Sequence, residues 1–267
     1  VSAQTTANLS KHWFLEGYYA HGWNTHKNYY RGAVTYSFNK KNYLPREFPK
    51  RTLTLESTYD IEYPSDKYIK TDKDNVFTAF KWTDSKNMQF YNRQKFSFDW
   101  EEVWGLRIQA ALKTEENQSA GTMAFRPLAT LEDSKFRTTE ASVDLTFSPG
   151  RTYINTKQRR LPINLDAPIF SISHTMGFKD FLGGDYKSNF TEASIYKRFW
   201  MKSWGKIDVY LKGGAQWNKV PFPLLIMPAA NMSYILEDET FNLLNNMEFL
   251  NDRYASLDLS WDLNGKI

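Results

Sequence analysis

The side chains that most often perform catalysis or bind metals are few in this chain, and their spacing does not suggest a site. The 267 residues include four histidines and no cysteine. No two histidines are four residues apart, the spacing that lets one helix face offer two imidazoles to zinc. The histidines are His12, His21, His26 and His174. His174 shares an apolar stripe with Ile172 and Met176, and we expect it to make an ordinary hydrogen bond.

Neighbouring carboxylates are the other candidates for chemistry, because a pair can divide the roles of general acid and general base. Asp99, Glu101 and Glu102 offer such pairs. The polar face of a sheet also carries carboxylates for structural reasons, and that interpretation is favoured here. The sequence contains no GxSxG, Walker or GxGxxG motif. We therefore predict a protein that is not an enzyme, with no catalytic, cofactor-binding or metal-binding residue and no cofactor.

An apolar connection, Val220–Leu236, is the strongest candidate for a functional segment. Its consecutive apolar side chains would be costly to leave in water as one patch. One interpretation is a loop packed on the wall of its own domain. The other is a loop that folds into a lumen as a plug or gate, or that docks on a partner. The candidate residues are Pro221, Phe222, Pro223, Leu224, Leu225, Ile226, Met227 and Pro228.

A basic cluster, Lys157, Arg159 and Arg160, is the second candidate. Cations in a loop at a membrane surface contact anionic lipid head groups, although most short charge runs are solvated loops. The net charge of +4 is mild, and charges of both signs alternate along the chain. Nucleic-acid binding requires a concentrated basic patch, so we predict no nucleic-acid partner.

Long strands must position these residues. From Arg51 to Tyr63, apolar or aromatic side chains alternate with polar ones, with Leu53 and Leu55 on one face and Glu56 and Asp60 on the other. The run is longer than the usual strand of about 5–6 residues and matches the roughly 9–11 residues that cross a bilayer. Similar runs predict twelve to fourteen antiparallel strands, with weaker segments at 76–82 and 121–129, a long loop at 151–167 and an ambiguous helical period at 240–249.

A membrane barrel is favoured over a soluble β-protein by the long strands, the rows of charges on one face and the aromatic residues near strand ends. Closure also removes the exposed edges of a large sheet. The sequence has no apolar run of 18 residues, and its aromatic content is 16% beside a mean hydropathy of −0.60. That combination is typical of a barrel with a wet interior and aromatic girdles. The terminal rings are Tyr63, Trp82, Trp100, Trp200 and Trp217.

Four segments resemble the C-terminal barrel of a Bacteroidetes outer-membrane family of unknown function, whose members carry an N-terminal carboxypeptidase-regulatory-like domain. The resemblance implies that N-terminal domains and a final C-terminal part of such a protein are missing here. The barrel is also distantly similar to the surface-antigen superfamily of BamA and TamA. The Arg-bearing lumen motif of that superfamily has no match, so no functional residue is carried over. The segments are Phe14–Trp23, Arg31–Asp60, Ile154–Gly177 and Glu239–Ile267.

Together, the pattern and the resemblance predict one all-β domain over residues 1–267, an antiparallel transmembrane β-barrel with sixteen strands when complete. We expect it in the outer membrane of the cell, as a component of outer-membrane biogenesis or transport. Expected partners are outer-membrane lipid, lipopolysaccharide, and other outer-membrane proteins or lipoproteins. The alternatives are a passive pore or surface nutrient receptor, and a soluble glycan-binding β-protein that uses Trp13, Trp23 and Trp82.

Overall fold

The computed structural model describes residues 1–23, 25–65, 88–120, 135–231, 240–245 and 247–263. These residues form one antiparallel sheet of eleven strands and a separate two-stranded hairpin, with almost no helix. The strands are β1 (Ser2–Gln4), β2 (Trp13–Gly22), β3 (Lys27–Ser37), β4 (Arg51–Glu62), β5 (Gln89–Glu101), β6 (Leu106–Ser119), β7 (Lys135–Phe147), β8 (Tyr153–Asn155), β9 (Arg160–Pro162), β10 (Ile169–Gly177), β11 (Ser188–Trp200), β12 (Lys206–Gln216) and β13 (Arg253–Asp262).

The strand order follows the chain, from β1 to β7 and then from β10 to β13. The strands β8 and β9 pair only with each other, inside the connection between β7 and β10. The large sheet is antiparallel throughout. In the described residues β1 and β13 form its two edges and do not pair with each other, so the sheet is not closed into a barrel. No helix in this part of the chain is long and apolar enough to cross a membrane.

The sheet has two ends, which we name from β4. The lower end is where β4 begins at Arg51, and it includes the turns at 102–105 and 201–205. The upper end is where β4 finishes at Glu62, and it carries the described connecting residues 63–65, 178–187 and 217–231. Gly105 and Gly205 have φ angles of 104° and 85° in the two lower turns, a conformation that glycine adopts without steric cost.

The two faces of the sheet have opposite chemistry, because side chains alternate strictly along paired strands. The apolar face carries Leu55 and Leu257, each 61% exposed, and further exposed large hydrophobic side chains on neighbouring strands. The polar face carries the buried charged residues Glu62, Asp99 and Glu115. In most soluble proteins the apolar face is the buried one, so this sheet reverses the usual arrangement. The other exposed apolar side chains include Leu15, Val34, Phe96, Val143, Leu145, Ile172, Ile195, Leu211 and Leu259.

Aromatic rings crowd the lower end of the apolar face. The ring of Trp13 lies 5.0 Å from that of Tyr36, which lies 5.4 Å from Phe38. Phe38 continues the series to Trp100 at 6.1 Å. Further along the sheet, the rings of Trp104, Phe147 and Phe170 follow at 6.0 and 6.5 Å. Trp200, Trp204 and Trp261 are exposed at the same end of β11, the next turn and β13.

The predicted strands agree with the structure where alternation is clean, as at Arg51–Tyr63, where β4 spans Arg51–Glu62. The predicted loop at 151–167 instead contains the hairpin β8–β9. The helical period at 240–249 produces no helix in its described residues, and Phe241 forms a bridge with Ala230. The weak strand segments at 76–82 and 121–129, and Trp82, lie outside the described residues. Tyr63 is buried rather than exposed at a strand end.

Candidate functional site

The polar face is held together by ion pairs that run from strand to strand. At its upper half, Nε of Arg93 on β5 donates to Glu115 of β6 at 2.5 Å, and its guanidinium lies 3.6 Å from Glu62 of β4. Lys113 of β6 pairs with Glu140 of β7 at 2.9 Å. Each side chain belongs to a different strand from its partner, so the charges bind neighbouring strands together. Partly buried pairs of this kind are costly to break singly, because one charge is then left without compensation.

Other parts of the polar face repeat the arrangement. Arg31 of β3 lies between Glu16 of β2 at 2.7 Å and Glu56 of β4 at 2.8 Å. At the lower end, Asp99 accepts hydrogen bonds from Lys50 and Arg107. On the last strands, Lys212 pairs with Glu192 and Arg198 pairs with Asp208. The tyrosine Tyr18 donates to Asp60 two strands away, which shows that side chains on this face reach across an intervening strand.

The apolar segment 220–228 lies against the polar face near the upper end. Pro223, Leu224 and Ile226 line one cavity together with charged residues of that face, including Lys113 and Glu115. Met227 is 1% exposed. The backbone of Ile226 exchanges two hydrogen bonds with that of Asn251, at 2.8 and 2.9 Å, and this pair fixes the base of the loop. We name residues 217–231 the upper cover.

The hairpin β8–β9 lies against the lower end of the same face, and we name residues 151–163 the lower cover. Arg160 donates two hydrogen bonds to Glu101 of β5, at 2.8 and 2.6 Å. Asn155 makes a paired contact with the backbone of Phe48, donating at 2.8 Å and accepting at 2.9 Å. The rings of Phe48 and Tyr153 are 4.9 Å apart. The lower cover is therefore bound through directional polar contacts.

The basic cluster is divided by this hairpin. Lys157 and Arg159 are exposed at the hairpin tip, and their contact with lipid head groups stays a prediction. Arg160 instead points to Glu101 and lies over the ring of Tyr153 at 4.8 Å. The three cations are thus not brought together. Sequence spacing could not separate them, because the hairpin that turns Arg160 inward has strands of only three residues.

Lys41 lies in the loop between β3 and β4, which contacts the lower cover through Phe48. Its ammonium donates to the carbonyl oxygens of Glu47 and Pro49, at 2.8 and 2.7 Å, and the residue is almost fully buried. Burial lowers the pKa of Lys41 to about 8, against an ordinary value near 10.5. The sequence does not indicate that Lys41 is buried, since nothing distinguishes it from the other lysines of a basic loop.

The cavity under the upper cover has a volume of about 300 Å³. The rings of Phe136 and Phe190 line it, and so do the side chains of Asn117 and Thr138. Gly214 makes room for two rings, since a Cβ there would lie 2.6 Å from the ring of Tyr254 and 3.2 Å from that of Phe190. In the described residues, no three His, Asp or Glu side chains are grouped as a metal site.

Comparison with known proteins identifies a family and no function. A family model described as the C-terminal domain of a family of unknown function, DUF5686, matches residues 1–267. The chain belongs to this family. No curated protein matches it. No solved structure matches it either. For this DUF5686 domain, the predicted N-terminal domain and the resemblance to the surface-antigen superfamily stay predictions.

Proposed function

We propose that this DUF5686 domain forms the wall of an outer-membrane β-barrel whose interior is covered at both ends, and that it serves outer-membrane biogenesis or transport as a non-enzymatic component. The observation that carries the proposal is the reversed polarity of the sheet, with hydrophobic side chains exposed and ion pairs buried. A lipid-facing wall with a polar interior is the arrangement in which both faces are solvated appropriately.

The dimensions of the apolar face support a bilayer position. On β12 the apolar face runs from Ile207 to Ala215, a length that matches the roughly 9–11 residues of a tilted transmembrane strand. Barrels carry an apolar band about 25 Å tall with aromatic girdles at its borders. The rings of Trp13, Trp100 and Trp261 at the lower end have the composition of such a girdle.

The two covers favour a scaffold over an open pore. The upper cover places Ile226 and Met227 against the polar face, and the lower cover places Arg160 against Glu101. An unobstructed channel needs a continuous hydrated path along its charged wall, and both covers lie on that path. The passive pore is the second candidate, because rows of charges such as Arg31, Glu56 and Arg93 would line a conducting lumen well.

The membrane assignment is tested by placing a charge on the apolar face. We expect Leu257→Arg to lower the stability of the protein in phospholipid vesicles by about 2–4 kcal/mol, the cost of arginine near the bilayer midplane. The readout is heat-modifiable migration on gels after urea titration. The control is Leu243→Arg, because Leu243 is 95% exposed in the connection after β12. A protein that stays in solution without detergent and tolerates both changes equally would support the soluble glycan-binding alternative.

The choice between scaffold and pore is tested in planar bilayers. We expect the full-length protein to show no steady ion conductance, because the covers obstruct the polar interior. Removing residues 221–228 should produce conductance if the upper cover is an obstruction. Steady conductance of the unaltered protein would favour the passive pore.

A further inference from the structure

The cavity under the upper cover contains two polar atoms that the protein leaves without partners. Asn117 is 2% exposed and Thr138 is 4% exposed. The side-chain oxygens Oδ1 of Asn117 and Oγ1 of Thr138 have no hydrogen-bond partner among the described residues. Buried polar atoms without partners are rare, and each costs free energy unless a bound molecule satisfies it. Both residues line the cavity, so a molecule in it can reach them.

The charges around the cavity are already satisfied by each other. Lys113 pairs with Glu140, and Glu115 accepts from Arg93. Lys212 pairs with Glu192, which also accepts a hydrogen bond of 2.5 Å from Tyr254. A charged ligand would have to displace one of these pairs, whereas a neutral ligand would leave them intact. The unsatisfied groups are an amide oxygen and a hydroxyl, which bind hydroxyl groups.

The remaining walls suit a ligand with apolar as well as hydroxylated faces. The rings of Phe136 and Phe190 and the apolar side chains of Leu224 and Ile226 line the cavity. Sugar rings present C–H groups on one side and hydroxyls at the edge, so they meet aromatic rings and amides at once. The volume of about 300 Å³ is at the lower limit for small-molecule sites, which run from about 300 to 1,000 Å³. It restricts the ligand to one or two sugar rings.

We infer that this cavity is a binding site for a neutral mono- or disaccharide, held by Asn117 and Thr138 and stacked on Phe136 or Phe190. The inference goes beyond the proposed function, although it depends on the same position of the upper cover. The cavity lies at the upper end of the sheet, beside the starts of β5 and β11, where the longer connections are found.

The test uses full-length protein in detergent and saturation-transfer NMR with glucose, galactose, mannose and lactose as probes. We expect transfer to at least one of them, and a dissociation constant about tenfold or more higher for the double variant N117L/T138V. This variant removes both unpartnered oxygens with similar volume, together with the hydrogen bond that Nδ2 of Asn117 donates to Glu115. The control is Asn189→Leu, because Asn189 also has a side-chain oxygen without a partner but pairs with Met176 on the opposite face.

Three outcomes would overturn the saccharide site. One is no transfer to any of the four sugars, which would mean that water alone fills the cavity. Another is equal binding by the wild type and N117L/T138V. The third is stronger binding of glutamate or inorganic phosphate than of any sugar, which would identify a charged ligand. Heat-modifiable migration is measured on the same samples, so that failure of the site in a properly folded barrel is distinguished from failure of the membrane assignment.

Discussion

The two covers of the polar face are held in place by different forces. The upper cover buries Ile226 and Met227, and its fixed points are two backbone hydrogen bonds to Asn251. The lower cover is held by the ion pair of Arg160 with Glu101 and by the contact of Asn155 with Phe48. Apolar burial is insensitive to salt and pH, whereas an ion pair responds to both. The same polar face is therefore covered by one segment that solution conditions should not move and one that they should.

The largest effect is expected from a charge in the upper cover. Met227→Asp would bury a carboxylate where the side chain is now 1% exposed, and we expect it to disfavour the closed loop by about 3–5 kcal/mol. In planar bilayers we expect the variant to conduct ions and the wild type to show no conductance. Leu243→Asp introduces the same charge at an exposed position and should show no conductance. A Met227→Asp variant that shows no conductance and has unchanged thermal stability would contradict the proposal that the upper cover obstructs the interior.

A smaller effect is expected when the ion pair of the lower cover is removed. Arg160→Ala leaves Glu101 with Arg107 at 3.6 Å and with the backbone N–H of Lys50, so we expect a loss of about 1–3 kcal/mol rather than unfolding. Trypsin cleavage after Lys157 or Arg159 should accelerate about tenfold, because the hairpin opens more often. Arg159→Ala, at the exposed neighbour, should leave cleavage after Lys157 unchanged. Equal rates in both variants would show that the pair does not hold the hairpin.

The loop that contacts the lower cover should become more stable as the pH rises. Lys41 lies in this loop, which also carries Phe48, the hydrogen-bond partner of Asn155. Because the pKa of Lys41 is about 8 when this loop is folded and near 10.5 when it is unfolded, the unfolded loop binds more protons between these values. Folding of this loop is therefore favoured by rising pH between about 8 and 10.5, by at most about tenfold per unit, and is independent of this group below about 8. The measurement is the ratio of tryptic cleavage in wild type and Lys41→Met from about pH 7.5 to about pH 9.5, a range that includes the onset of the expected effect near that pKa. A constant ratio would contradict the assignment.

The smallest effect is expected from salt. Raising the ionic strength from about 0.1 to 1 M shortens the Debye length from about 10 to 3 Å. We expect tryptic cleavage of the lower cover to rise two- to threefold, by roughly the amount that screening weakens a partly buried ion pair. We expect the wild type to show no conductance at either salt concentration, because the upper cover is held by apolar burial. If salt opened the upper cover and left the hairpin unchanged, the contrast between the two covers would be wrong.

The long strands of the sheet could be predicted from the sequence, because the alternation that indicates a strand lies within the strand's own residues. Alternation between Leu53 and Glu56 fixes both strand and face, and the predicted strand at 51–63 agrees with β4 to within one residue. The hairpin β8–β9 could not be predicted, since three-residue strands are too short for a period to be read. Its fixed points, Glu101 and Phe48, lie 59 and 107 residues away from Arg160 and Asn155.

The candidate site was predicted in part. The apolar composition of Pro221–Pro228 marked a segment that needs covering, but composition does not tell which surface covers it. Asn117 and Thr138 are ordinary in sequence, and only the structure shows that their side-chain oxygens lack partners and that residues of a distant loop line the same cavity. Lys157, Arg159 and Arg160 were grouped because they are adjacent in the chain, and a turn of the backbone separated them.

The ion pairs between strands also constrain how such a wall can assemble. Arg93 is shared by Glu62 and Glu115, and Lys113 is shared by Glu115 and Glu140, so a hairpin taken alone separates at least one of these charged side chains from one of its partners. A partly buried charge that loses a partner is costly, and under the proposed function we therefore expect β4 to β7 to enter the bilayer as one unit and not two by two. Time-resolved protease protection of these four strands during refolding into vesicles would show a single step if this is right and successive steps if it is wrong.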